Sequence, residues 1–196
     1  MYPSTISNEE VNALELYRYE GRIKIITKPE QIPGILKKIA GEKAVGFDTE
    51  TKPAFKKGQV NEVSLVQIAT EKEVYLIRIN FTGLTKELIR FLEDEKHLKI
   101  GVALRDDLID LKKLTHFHPQ GFIELNKLVK GIGIESNGLR KLTAIILGFR
   151  ISKSAQISNW ESEMLTEKQV NYAATDAWVC LKMYNELVKK GYLDHA

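Results

Sequence analysis

One cysteine, Cys180, in 196 residues leaves no partner for an internal disulfide and no set of thiolates for a zinc site. The four histidines lie at leucine- and phenylalanine-rich or terminal positions without the spacing of metal ligands. No apolar run approaches the ~20 residues of a membrane span, and Met1 to Glu20 is too polar and acidic to read as a signal peptide. Neither sign of charge dominates: a formal net charge of +3 is compatible with a polyanionic partner without demanding one. These absences exclude a disulfide-stapled secreted module, a multi-cysteine zinc domain and a membrane-spanning protein. They fit a reduced cytoplasmic setting, or a nuclear one in a eukaryote. What remains is 43% hydrophobic and 28% charged residues, enough for one soluble domain over 1–196 with a sizeable core and no room for a second.

Ile6-Ser-Asn-Glu-Glu-Val11 carries a capping box, Ser7 with Glu10, and a staple from Ile6 to Val11. A helix to about Tyr17 is expected, which makes residues 1–20 an N-terminal helical extension. Gly21 breaks it, Arg22 to Thr27 alternates like an edge strand, and Pro29 opens a second helix to about Ala40. The short apolar run Ala44 to Phe47 predicts a central strand. Val63 to Ala69 and Val74 to Ile79 predict two more, with a hairpin tip at Glu71-Lys72. A helix at Lys86 to Leu92, a strand at Lys99 to Val102, a helix beginning near Asp106 and a brief strand after Gly121 then alternate. Leu139 to Leu147, closed by Gly148, is a further helix. A long polar loop from Arg150 to Glu163 leads to the last one, capped by Thr166 and Gln169 and running to about Lys190. The expected class is α/β, a mixed sheet with an antiparallel start followed by alternating strands and helices.

The chemistry begins where the first core strand ends, in Ala44-Val-Gly-Phe-Asp-Thr-Glu-Thr51. Strand alternation points Asp48 and Glu50 the same way, and two like charges that close favour a cation between them. Oxygen ligands of this kind suit a hard ion such as Mg²⁺ or Mn²⁺. In Gly101-Val-Ala-Leu-Arg-Asp-Asp-Leu-Ile-Asp-Leu111, the buried stripe of Leu104, Leu108, Leu111 and Leu114 takes in Asp107 but leaves Asp106 and Asp110 to one flank. An acid on an apolar stripe needs a basic partner or a metal; the plainer reading is an acid favoured by the helix dipole. On the last helix Asp176 shares the buried face of Ala173 and Cys180, with Tyr172 one turn earlier. An ordinary core tyrosine bonded to an acid reads equally well there. Jointly, four inward acids without evident buried cations match two divalent ions.

At these residues the chain resembles a known family. Phe47-Asp-Thr-Glu50, Gly101 with Asp107 six residues on, and Tyr172-Ala-Ala-Thr-Asp176 are similar to the three motifs of the DEDDy 3′–5′ exonucleases, over roughly Ile23 to Leu187. Tyr172 argues against the branch that has histidine there. Ser158-Asn-Trp160 followed by Leu165-Thr-Glu-Lys-Gln169 resembles most the Werner-syndrome-type exonuclease domain, with ribonuclease D the next relative. The resemblance implies a ribonuclease-H-like fold with helices flanking the sheet. It also implies metal-ligand roles for Asp48, Glu50, Asp107 and Asp176, and a water-orienting role for Tyr172. No role is carried onto Arg105 or Asp106. Such relatives often carry a helicase or an accessory helical domain, for which these residues leave no space.

The activity so implied is two-metal hydrolysis of phosphodiester bonds from single-stranded or recessed 3′ ends, DNA favoured over RNA, with nucleoside monophosphates released. Thr51 and Lys52, the neighbouring Lys56 and Lys57, and Lys153, Ser158 and Trp160 on the opposite lip are candidate contacts to the strand, Trp160 as an aromatic surface for a base or sugar; the plainer readings are a solvated basic turn and, for Trp160, a lid on the core. The alternatives are a ribonuclease D-like RNA-processing enzyme, a nuclease of the same fold that cuts internally, and a nucleic-acid-binding domain without activity. Divalent cations are the only cofactor expected, and no protein partner is indicated.

Overall fold

A computed structural model describes residues 1–56 and 58–193. Six strands make one sheet: β1 Arg22–Ile26, β2 Ala44–Thr51, β3 Val63–Ala69, β4 Glu73–Ile77, β5 Leu98–Gly101 and β6 Phe122–Glu124, in the order β1-β4-β3-β2-β5-β6. The central strands β2, β3 and β4 pair antiparallel, and β1, β5 and β6 join in parallel. The antiparallel start and the later alternation are therefore both present. Every residue of β3 is buried, which explains its nearly continuous apolar run: helices cover both faces of the sheet.

Among the described residues eight α-helices surround it: α1 Asn8–Ala13, α2 Ile32–Ile39, α3 Ile79–Thr82, α4 Lys86–Glu93, α5 Leu104–Leu114, α6 Leu125–Leu128, α7 Leu139–Leu147 and α8 Glu167–Lys189. On one face α2, α4 and α5 set Ile32, Leu88 and Leu104 against Val45, Phe47 and Ile68. The other face carries α7 and α8, which close over Ile100, Leu65 and Leu76. None of these helices, among the described residues, is long and apolar enough to cross a membrane. The 23-residue α8 starts at the expected box, with Thr166 accepting from Gln169 N and Gln169 reaching back.

The N-terminal helical extension needs correction. The Ser7–Glu10 capping box is present, but α1 ends at Ala13 because Leu14 turns extended (φ −72°, ψ 155°). Six residues gain little from helix cooperativity, and the next stretch has better partners elsewhere. Arg150 N donates to Glu15 O (2.9 Å), Tyr17 N to Arg150 O (2.8 Å) and Tyr19 N to Thr175 Oγ1 (3.0 Å). Residues 14–19 thus form an arm tied to the far end of the chain. Similarly, Pro29 opens a 3₁₀ turn to Gln31 before α2 begins. The short α3 has no counterpart in the sequence reading.

Candidate active site

Two glycines let separate elements meet at the end of β2. A Cβ on Gly46 would lie 1.9 Å from the carbonyl oxygen of Ala177, so only glycine allows the backbone of α8 to rest on the strand. Ala173, Ala174 and Ala177, all buried, keep the rest of that contact thin. Asp176, adjacent to Ala177, is thereby brought down beside Asp48. Gly101 plays the same part on the other side, since its Cβ would meet Phe47 O at 2.7 Å. After it Ala103 takes a left-handed conformation (φ 59°) as the cap of α5, a costly geometry away from glycine. That turn aims the first turns of α5, and with them Asp107, at the tip of β2.

The carboxylates crowd there. One oxygen each of Asp48, Glu50 and Asp176 lies within 4.8 Å of the other two. Asp107 is not in that trio; it stands beside it, accepting from the Thr49 hydroxyl. Thr49 N also donates to Asp48 Oδ1 (3.0 Å), so one residue steadies two of the acids. Burial, then Asp107 and then Asp176 hold the Asp48 carboxyl well above the usual range. Burial first, with Asp48 next, pushes Glu50 up to about 10. Asp176 rises to about 7 through burial, against the Tyr172 hydroxyl beside it. Burial also raises Asp107, although Thr49 donates to it. The Tyr172 phenol is raised by burial and by Asp176, so it stays protonated.

Such a cluster repels itself unless protons or cations are shared within it. Among the described residues Asp176 Oδ1 is buried without any hydrogen-bond partner. An orphaned oxygen on a carboxylate that lies within 4.8 Å of two others fits a divalent cation, and the all-oxygen donor set fits a hard one.

The sequence-predicted strand contacts fare unequally. Trp160 is fully buried, its ring 6.1 Å from that of Tyr172, and so offers no face to a base; of its two readings the lid on the core holds and the stacking role is corrected. The cause lies 82 positions away: buried Arg78 donates to the backbone oxygens of Trp160, Ser162 (2.5 Å) and Glu163, tying the loop down. Lys52 pairs with Glu161 across the loop mouth (2.8 Å). Thr51 ends β2 half-buried, Ser158 is half-buried, and Lys153 and Lys56 are exposed. Lys57 lies outside the described residues.

Four residues escaped the sequence reading: Thr49, Gly46, Arg78 and Gln67. Gln67 is the cross-strand partner of Asp48, hence on the same face, and its buried amide has no partner among the described residues. A lone amide inside an apolar strand was the available signal. For Gly46 it was a glycine in a strand interior, which often marks a close backbone approach.

Two clefts meet at Tyr172 and Asp176. The larger, about 790 Å³, is walled by the arm residues Glu15 to Arg18 and the start of α8. The smaller, about 320 Å³, runs past Lys153 to the first turn of α7.

Comparison with known proteins gives the family. A family model described as a 3′–5′ exonuclease matches residues 23–191. The mouse bifunctional 3′–5′ exonuclease/ATP-dependent helicase WRN is 32% identical over 153 residues, covering 75% of this chain and 11% of the mouse protein. Ribonuclease D of Gluconacetobacter diazotrophicus is 29% identical over 169 residues, covering 85% of this chain and 42% of its own. The chain thus spans well under half the length of these curated relatives. Among solved structures, the Nibbler EXO domain of Aedes aegypti superposes with a TM-score of 0.81 at 24% identity, over 89% of this chain and 92% of that one.

Proposed function

This chain belongs to the 3′–5′ exonuclease family, and from that premise we propose that it removes nucleotides from the 3′ end of a nucleic-acid strand by metal-assisted hydrolysis, releasing nucleoside monophosphates. The reading is carried by one observation: three carboxylates from β2 and α8 converge within 4.8 Å, and Asp107 and Tyr172 stand beside them.

Asp48, Glu50, Asp107 and Asp176 would hold two divalent cations, Mg²⁺ or Mn²⁺, which when bound supply Lewis acidity to the attacking water and to the departing 3′ oxygen. The carboxylates hold rather than attack. Thr49 occupies one oxygen of Asp107 and leaves the other for a ligand role. Tyr172, kept protonated by its surroundings, positions the water in line with the phosphorus. Water oxygen bonds to phosphorus, the bond to the 3′ oxygen breaks, and that oxygen leaves as a hydroxyl. A binding domain without activity has no use for this crowding, which raises all four carboxyls at once.

DNA is the polymer we favour, with RNA the second reading because ribonuclease D is among the relatives. The test is digestion of 5′-labelled DNA and RNA oligonucleotides, single-stranded and recessed, with Mg²⁺ or Mn²⁺ added. A descending ladder is expected. Internal products would mark an endonuclease, and uncut substrate in every combination would overturn the reading.

A further inference from the structure

The two clefts that meet at Tyr172 and Asp176 differ in charge. The larger is bordered by Glu15, Glu20 and Glu167 besides Asp176, against Arg18 and Lys168. The smaller is bordered by Arg140, Lys141 and Lys153, with Asp176 the only acid on its wall. Among the described residues none of these three cations has a carboxylate within 4.0 Å. Lys153 is exposed and the other two half-exposed. Volume alone would send a strand into the larger cleft; a polyanion is directed by potential, and there four acids face two cations. The neutral walls of the smaller cleft add Asn8 and Gln156, side chains suited to phosphate oxygens or sugars.

Position is held as well as charge. Arg140 donates to the Asn12 side chain of α1, and Arg150 Nε donates to Leu14 O (3.0 Å). The N-terminal segment, which precedes the residues matched by the family model, is thus fastened to α7 and to the loop carrying Lys153. It supplies Asn8 to one cleft and the acids Glu15 and Glu20 to the other.

Resting on the exonuclease reading above, we propose that the cleft of Arg140, Lys141 and Lys153 is the track for the phosphate backbone of a single strand leading into the site, and that the acid-walled cleft is closed to it.

The test is fluorescence anisotropy of 5′-fluorescein deoxy- and ribo-oligonucleotides, with EDTA present so that nothing is cut, across a range of salt. Each phosphate neutralised on a single strand contributes about 0.7 to the slope of log affinity against log salt. Arg140→Gln/Lys141→Gln/Lys153→Gln should therefore lower the slope by roughly 2 and weaken binding on the order of ten- to a hundredfold at 0.1 M salt. Removing the acids, Glu15→Gln/Glu20→Gln/Glu167→Gln, lifts the repulsion that closes the larger cleft and should tighten binding at low salt. Circular dichroism melts check that both variants fold.

An unchanged slope in the first variant, weaker binding in the second, or no binding by the unaltered protein at low salt would each overturn the track. A normal digestion ladder with an unchanged slope would remove the track and keep the exonuclease. No ladder with the expected slope change would remove the exonuclease and keep a single-strand groove.

Discussion

Gly46→Ala is the sharpest perturbation this architecture offers, because one methyl group meets a backbone atom that cannot rotate away. The added Cβ would sit 1.9 Å from Ala177 O, where ordinary contact begins at 3.4 Å, so α8 and β2 must part by the difference, about 1.5 Å. Asp176 moves with Ala177 and Asp48 stays with the strand, which opens a cluster now within 4.8 Å. Mg²⁺ holds its oxygens at about 2.0–2.1 Å in near-ideal geometry, and misplacement by about 1 Å typically costs on the order of a hundredfold in rate. The expected loss in kcat/KM is therefore at least about a hundredfold. Overpacking adds a stability cost of about 1–3 kcal/mol, and for a chain of this size each kcal/mol lowers Tm by about 2–4 °C. Digestion of a 5′-labelled oligonucleotide gives the rate and calorimetry the melting point. Titration with Mn²⁺ should show weakened metal affinity. Gly34→Ala in α2, where a Cβ meets nothing within 4 Å, is the control and should keep full activity with a slightly higher Tm. If Gly46→Ala also cleaves within about threefold of the unaltered protein, the close approach does not build the site and the reasoning fails.

Asp48→Ala and Asp176→Ala should each abolish turnover by about a thousandfold or more, since the metal pair would lose one of its four carboxylates; residual cleavage above about a tenth would contradict the assignment. Tyr172→Phe should slow single-turnover cleavage by about ten- to a hundredfold with oligonucleotide affinity within about twofold, and parallel loss of binding would count against a water-orienting role. Without metal, the raised carboxyls make the folded chain bind more protons than the unfolded one above pH ~4.5. Stability should then fall as pH rises toward about 7 for Asp176 and about 10 for Glu50. Between pH 5.5 and 7.5, below the region where buried Lys99, lowered to about 8 by desolvation, works in the opposite sense, thermal melts in EDTA should show Tm declining. Added Mg²⁺ or Mn²⁺ should raise Tm more at the upper pH, and a flat or rising metal-free profile would refute the crowding. Arg78→Met strips three loop carbonyls of their donor and should cost about 3 kcal/mol in urea unfolding, with Trp160 fluorescence shifting red as the loop loosens; an unshifted spectrum would be the contrary result.

Local rules reached far into this fold. The boxes at Ser7 and Thr166, the stop at Gly148 and the phase that singled out Asp107 from Asp106 and Asp110 depend on neighbours within a turn or two, which the sequence displays. What escaped it depends on distant partners. Trp160 leaves two readings open, a lid on the core or a surface for a base, because nothing near it announces that Arg78, a charged residue ending an apolar strand, is buried to hold the loop carbonyls. Residues 14–17 read as helix until the bonds to Arg150 are known. The sequence reading groups Asp107 with the other acids; the Thr49 hydroxyl that holds it at their edge sits on the opposite strand face from Asp48 and Glu50.

The arm before β1 carries a timing consequence. Its bonds run to Arg150 and Thr175, 136 and 156 positions downstream for Leu14 and Tyr19, and loops of that length close late. The arm leaves the ribosome well ahead of Arg150 and Thr175. Its wall of the larger cleft can therefore close only after α8 has been made.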